Sequence, residues 1–119
     1  MAAPNLINLT TVTVTTAILE ATNTLTDIIS AVATGHAINV EAVYCANIHS
    51  STKGWVTLVL KRSGVEHKIC NQLPVSAKQT VNALLGKPLY MAEGDSLMVQ
   101  ANASSNIAVY APYTNVTDL

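Results

Sequence analysis

The chain has 119 residues, a formal net charge of −1 and a pI of about 6.2; half of its residues are hydrophobic and only 11% are charged. The length fits one ordinary domain of ~100–150 residues. The sequence has no stripe of basic residues of the kind that nucleic-acid-binding proteins carry. It also has no apolar run long enough to span a bilayer. Soluble domains carry about 25% charged residues, so Thr, Asn and Ser must cover much of this surface. An uncharged surface costs less to desolvate. We therefore expect contacts with other subunits; the alternative is a monomer with a Thr/Asn-rich β surface.

The first third of the sequence favours extended structure. Residues 1–9, Met1 to Leu9, mix apolar side chains with Asn and an early Pro, which predicts an extended arm. Thr10 to Glu20 is rich in β-branched residues and predicts a strand, and Leu25 to Ser30 predicts a second, short one. A helix over residues 17–33 is the chief rival, but the Thr content weakens it.

The middle of the chain contains the longest strict alternation. Ile38, Val40, Ala42, Tyr44, Ala46 and Ile48 recur at period two. This spacing predicts one strand with these side chains on one face. Trp55 to Leu60 is apolar on both faces and predicts a central strand. In the next segment we expect Val65, Ile69 and Leu73 to point inward.

The stretch Pro88–Val99 predicts a strand, a tight turn and a second strand. Glu93-Gly94-Asp95 is a hairpin or corner signal because Gly tolerates the positive φ of such turns. We expect Asp95 to cap the turn, and both carboxylates to be solvated. Ile107 to Ala111 predicts the closing strand, with Pro112 to Leu119 as a tail.

Eight or nine short strands with frequent turns predict an all-β fold. We expect a single antiparallel β-sandwich, jelly-roll-like, over residues 10–119, with the extended N-terminal arm at residues 1–9.

Residue patterns typical of catalysis or metal binding are missing. His36, His49 and His67 match no zinc spacing, so we expect solvated histidines. Cys45 and Cys70 lie in predicted strands, where buried free thiols are the default and a disulfide stays open. Glu93 and Asp95 alone supply too few oxygen ligands for Ca²⁺. We expect no enzyme activity, no cofactor and no metal.

Several segments resemble a family of small virion structural proteins of tailed bacteriophages. These segments are Met1–Thr13 (Met-Ala-Ala-Pro-Asn-Leu-Ile-Asn-Leu-Thr-Thr-Val-Thr), Ala46–Leu58, Pro88–Ala101 and the Ala111-Pro112-Tyr113 tripeptide. The resemblance covers most of the chain, but its motifs describe a β-sandwich and carry no reaction. It implies a capsid cement or decoration protein, or a neck or tail component.

A cement protein would oligomerise on the shell and stabilise contacts between major capsid subunits. We expect a homo-oligomer, with a trimer favoured, whose partners are itself and the major capsid protein, without nucleic acid or membrane. It would be made in the host cytoplasm and act at the capsid surface of the virion. The assembly contacts that we predict are Pro4, Leu6, Ile7 and Leu9 of the arm, together with Trp55.

Two alternatives remain open on the sequence. A neck or tail ring satisfies the same physical logic. A carbohydrate- or receptor-binding module would need an aromatic platform, for which Trp55, Tyr90, Tyr110 and Tyr113 are the candidates.

Overall fold

The computed structural model describes residues 9–104 and 106–118, and it contains ten β-strands in these ranges. The strands are β1 Leu9–Glu20, β2 Thr26–Ile29, β3 His36–Val40, β4 Tyr44–Asn47, β5 Gly54–Arg62, β6 Val65–Val75, β7 Thr80–Asn82, β8 Leu89–Met91, β9 Ser96–Ala101 and β10 Ile107–Asp118. None of the described segments is a helix that could cross a membrane. The predicted arm falls almost wholly on residues 1–8, outside the described residues, and Leu9 already opens β1.

The strands form two antiparallel sheets that pack face to face. In the larger sheet β10 pairs with β1 along one edge and with β3 and β4, in tandem, along the other; β8 then pairs with β3 and β7 with β4. The smaller sheet has the order β2-β9-β5-β6. Each sheet is therefore four strand positions wide, and the chain crosses between them as in a jelly roll. The predicted fold class is confirmed.

One predicted strand is in fact two. The segment from Ile38 to Ile48 was expected to keep one face inward, but β3 and β4 are separate, and their buried faces are out of step. Ile38 and Val40 are buried, as are Val43 and Cys45, whereas Ile48 is 59% exposed. The break lies beside Pro112 of β10, which has no N–H to donate; its carbonyl instead accepts the Glu41 N–H at 2.9 Å.

The predicted C-terminal tail is part of the sheet. β10 runs from Ile107 to Asp118, and its second half pairs with β1 on one side and with β3 on the other. The proline at the start of this segment, Pro112, lies inside β10. It is accommodated because only the donor facing the β3–β4 break is lost.

The turn at Gly94 is a corner between the sheets. β8 belongs to the larger sheet and β9 to the smaller one, so the corner reading is correct and the hairpin reading is wrong. Gly94 has φ +86, as predicted. The expectation that both flanking carboxylates are solvated fails for Asp95, which is 1% exposed.

The core lies between the sheets and is almost entirely aliphatic. β5 is a central strand, flanked by β6 and β9, with Val56 and Leu58 fully buried, as predicted. Ile69 and Leu73 of β6 pack against the core. Val65 does not: it lies beside the β5–β6 turn and is 55% exposed.

Candidate assembly surface

The larger sheet has one face on the core and one face exposed. On β10, Val109 and Ala111 are buried in the core, so the alternating side chains face away from it. Cross-strand partners share a face, which extends this assignment across the sheet. We call the exposed side the outer face; it comprises Val12, Val14, Thr16, Ile18, Glu20, Ala37, Asn39, Tyr44, Ala46, Thr80, Asn82, Tyr90, Ala108, Tyr110, Pro112, Thr114 and Val116.

Large apolar side chains are concentrated on this outer face. Ile18 lies opposite Tyr110, which lies opposite Tyr44, so the three form a row across three strands. A second row leads from Val14 to Tyr90 through Thr114 and Asn39. Six of the nine large apolar side chains that are exposed in the described residues belong to the outer face, namely Val12 at 56%, Val14 at 71%, Ile18 at 68%, Tyr44 at 44%, Tyr90 at 67% and Tyr110 at 37%.

Charge is nearly excluded from the strands of the larger sheet. Their only acidic residues are Glu20 and Asp118, at strand ends, and they contain no Lys or Arg. All the cationic side chains of the chain lie in the smaller sheet or in loops, at Lys53, Lys61, Arg62, Lys68, Lys78 and Lys87. Interface cores are depleted in charge and enriched in Tyr. The outer face therefore has the composition of a contact surface.

The sequence did not reveal this surface. The alternation of Val and Thr in β1 would ordinarily bury valine, yet Val12 and Val14 face outward. The available signal was the absence of charge from Thr10 to Leu19 and from Ile107 to Thr117, two segments that proved to be paired neighbours.

Of the predicted assembly contacts, the structure describes Trp55 and the backbone of Leu9. Pro4, Leu6 and Ile7 lie outside the described residues. Leu9 contributes its backbone to β1, opposite Asp118. Trp55 lies in β5 beside the inward-facing Val56, so it faces away from the core on the smaller sheet.

The aromatic platform expected of a glycan-binding module is not assembled. Tyr90 and Tyr110 are on the outer face, but Tyr113 points to the core, and Trp55 belongs to the other sheet. These four side chains therefore do not share one surface.

A shallow cleft beside the Gly94 corner contains an ion pair between Arg62 and Asp95. Arg62, Ser63, Ala92, Glu93, Gly94 and Asp95 line it. The Arg62 guanidinium is bonded to the buried Asp95 carboxylate, whose oxygen also accepts the Ala92 N–H at 2.9 Å. These hydrogen bonds from Arg62 lower the pKa of Asp95, although burial opposes the shift. The predicted turn-capping role of Asp95 is confirmed.

Two of the three histidines make hydrogen bonds within the fold. His36 Nδ1 lies 3.0 Å from Asn115 Oδ1, and His49 Nδ1 accepts the Thr52 N–H at 2.9 Å. His49 therefore holds the backbone of its own loop, and the expectation that it is a solvated histidine is wrong. His67 is exposed. Within residues 9–104 and 106–118, no group of three or more His, Cys, Asp or Glu side chains could hold a metal ion.

Both cysteines are free in the structure. Cys45 is buried in β4, and burial, together with the nearby Cys70, raises the pKa of its thiol from 9.0 to about 12. Cys70 is half-buried in β6, where burial also raises its pKa. Thiols with raised pKa values are poor nucleophiles at neutral pH.

Comparisons with known proteins found similar structures but no matching sequence family. No protein-family model matches the chain, and no curated protein matches it. The fold is similar to an appendage protein of Bacillus endospores, described as one of a novel family of disulfide-linked pili, with a TM-score of 0.55 and 13% identity over 94% of this chain and 89% of that one. A pentameric capsid protein isolated from metagenomic phage sequences, solved twice, matches over 96% of this chain. The two structures give TM-scores of 0.44 and 0.47 and identities of 20% and 19%, and the match covers 64% and 66% of those chains. The likeness to the appendage protein shows that the fold of this chain is similar to that of a solved structure.

Proposed function

We propose that this protein is a non-enzymatic structural protein of a phage virion, acting as a capsid cement or decoration protein. It oligomerises on the shell and stabilises contacts between major capsid subunits. The observation that carries the proposal is the outer face, on which three tyrosines and three large aliphatic side chains are exposed in a sheet nearly free of charge.

The size of the outer face suits a stable contact. Strands of 12 residues are about 40 Å long, and four strand positions are about 19 Å wide at ~4.8 Å per strand. Their product is roughly 760 Å², close to the ~800 Å² that each partner contributes to a standard protein interface. Few ions would have to be desolvated when this face is covered, so its burial is favourable on both area and charge.

Two other assemblies would use the same face. A neck or tail ring is the nearest alternative. A filament subunit is suggested by the fold of the endospore appendage protein, but covalent linkage of that kind has little support here, because the chain's two cysteines are buried and half-buried.

The proposal is tested with a matched pair of lysine substitutions. Tyr90 and Val65 are both exposed apolar residues, at 67% and 55%, but only Tyr90 belongs to the outer face. Tyr90→Lys is expected to reduce incorporation into particles at least tenfold, since a charge must then be desolvated, whereas Val65→Lys is expected to leave it unchanged. Incorporation is measured by quantitative mass spectrometry of purified particles, with thermal unfolding of each free variant as the folding control.

The outcome also separates the assemblies. Hundreds of copies per particle indicate shell decoration, while about six or twelve indicate a ring. Equal incorporation of the two variants would contradict the role of the outer face, and absence of the protein from particles would contradict the virion assignment.

The predicted contacts of the arm have their own test. Deleting residues 2–8 leaves the whole of β1 in place. If Pro4, Leu6 and Ile7 contact a neighbouring subunit or the shell, the truncated protein should bind particles more weakly while its thermal transition is nearly unchanged. A large loss of stability would assign these residues to the protein's own sandwich.

A further inference from the structure

The free edge of β1 differs from every other described sheet edge. Among residues 9–104 and 106–118, β1 pairs only with β10, so within this part of the chain its opposite edge is unpaired along 12 residues. From Thr11 to Leu19 it contains no charge, proline or glycine. Open edges of this length and composition are templates for pairing with another strand.

The other edges carry protective features. β7 and β8 have three residues each and β2 has four, which is too short for stable pairing. β6 is long, but it contains Glu66, Lys68 and Pro74, and its register with β5 shifts twice. Charges, proline and bulges block edge-to-edge association. β1 has none of these features from Thr11 to Leu19, since its register shift lies between Leu9 and Thr11 and its one charged residue is Glu20 at the end of the strand.

The register determines which backbone groups are open. In β10, Ile107 directs its carbonyl towards the β1 side, where it accepts the Ala21 N–H, and Pro112 directs its carbonyl towards Glu41 on the other side. Odd-numbered residues of β10 therefore bond towards β1. Because Thr15 lies opposite Tyr113, the odd-numbered residues of β1 are the ones bonded to β10. The N–H and C=O groups of Val12, Val14, Thr16 and Ile18 consequently point to the free edge.

We infer that the occupant of this edge is β1 of a second copy, paired antiparallel about a two-fold axis through Thr15. Thr15 is the midpoint of Thr11 to Leu19, the uncharged part of β1 that follows the register shift between Leu9 and Thr11, so this register pairs the whole of that stretch. Val14 then lies opposite Thr16 of the partner subunit, and Val12 opposite Ile18 of the partner subunit. Val12 and Ile18 both have outward-facing side chains, so the two outer faces become one continuous apolar surface.

Self-pairing agrees with the charge and length of the strand. Two identical edges repel each other if they are charged, and this run is not. A ring in which β1 pairs with the opposite side of the next copy would meet the three-residue β7 and β8. β6 is nearly as long, with 11 residues, but it contains Glu66, Lys68 and Pro74, so another β1 is the best match among the described edges.

The expected association is weak in solution. The nine residues from Thr11 to Leu19 form an edge about 30 Å long and about 10 Å thick, which buries roughly 300 Å² per copy, or about 600 Å² in total, below the range of stable complexes. The dimer should therefore form with a Kd between about 10 μM and 1 mM. It would strengthen when copies are held side by side, because the effective concentration rises. The inference holds whether or not the outer face binds a shell.

Sedimentation velocity of the purified full chain tests the dimer. A reversible monomer–dimer equilibrium is expected, and Val14→Lys should weaken it at least tenfold by adding charge at the edge. Val65→Lys, on β6, is the matched control and should leave Kd unchanged. Monomer alone at about 1 mM, or equal dimerisation of all variants, would overturn the inference.

A crosslink tests the register in the same protein. Thr15→Cys places two thiols at the axis, in a non-hydrogen-bonded pair whose Cα atoms should be about 4.5 Å apart. Mild oxidation of the Thr15→Cys variant is expected to give a disulfide-linked dimer. The Thr24→Cys variant, whose new cysteine lies outside β1, is the control and should not form this crosslink. If only Thr24→Cys forms the crosslink, or assemblies larger than dimers form through β1, the two-fold pairing is wrong. Thr16→Pro removes an edge N–H that β10 does not use and should abolish dimerisation.

Discussion

Arg62 holds Asp95 through three hydrogen bonds, with Nε 2.9 Å from Oδ1 and 3.1 Å from Oδ2, and Nη2 2.6 Å from Oδ2. Arg62 ends β5, and Asp95 follows the corner between β8 and β9. The pair therefore ties the β5–β6 turn to the point where the chain changes sheets. Asp95 is buried while Arg62 is half exposed, so removing the arginine leaves a buried carboxylate without its main partner.

Asp95→Asn is expected to destabilise the fold by about 2 kcal/mol at neutral pH, because hydrogen bonds to charged groups contribute ~1.5–3 kcal/mol. The pKa of Asp95 is lowered in the folded state, so its contribution is present above the unfolded value of about 3.9 and is lost as the pH falls through the lower folded pKa. Urea unfolding at neutral pH and below about pH 4 measures both effects. Glu93→Gln is the control; an equal loss there would contradict the role of the ion pair.

Gly94→Ala is expected to cost about 1–2 kcal/mol, and Gly94→Val more, since the position has φ +86 and L-residues are strained there. A Cβ added at this position meets no atom within 4 Å, so the whole loss is conformational. Glu93→Ala should have a smaller effect. Thermal unfolding compares the three variants, and equal small losses would argue against strain at the corner.

Asn39→Val is expected to raise the thermal midpoint by a few degrees. The Asn39 Oδ1 atom is buried without a hydrogen-bond partner, and an unsatisfied buried polar group costs ~1–3 kcal/mol. Valine also suits a strand better than asparagine does. Asn115→Val is the control, because Asn115 Oδ1 is bonded to His36 and its loss should lower the midpoint. A lower midpoint for Asn39→Val would show that its amide has a stabilising role.

Cys45 should resist alkylation in the folded protein. Its pKa of about 12 leaves almost no thiolate near neutral pH, and burial blocks access. In a Cys70→Ser variant, iodoacetamide is expected to modify Cys45 only after unfolding, as mass spectrometry would show. Rapid labelling of the native variant would contradict the buried environment.

The same raised pKa predicts alkaline destabilisation. The unfolded thiol ionises above 9.0, while the folded thiol stays protonated to about 12, so stability is full below pH 9.0 and falls between these values. Cys45→Ala should remove this part of the pH dependence. An unchanged alkaline profile would assign it to other groups.

The sequence predicted the elements well where the pattern was local. β-branched residues located β1, the segment from Leu25 to Ser30 was correctly predicted as the short strand β2, the apolar run located the central strand β5, and the glycine located the corner. The sequence-based prediction failed where a strand's structure depends on a neighbouring strand. The segment from Ile38 to Ile48 is broken because Pro112, more than 60 residues away in the chain, lies opposite it. The segment after Pro112 stays extended because β1 and β3 flank it. The candidate surface was missed for the same reason. Only the register of β1 on β10 shows that the uncharged runs are neighbours and that Val12 and Val14 face outward.

The pairing of Leu9 with Asp118 also determines how the chain can be re-engineered. Two residues opposite each other on neighbouring strands have Cα atoms about 5 Å apart, so a short linker could join this strand pair end to end. The chain could then be reopened in the exposed loop at Ser50–Lys53 to give a circular permutant with both sheets intact. The start of β1 and the end of β10 therefore lie side by side at one end of the sandwich.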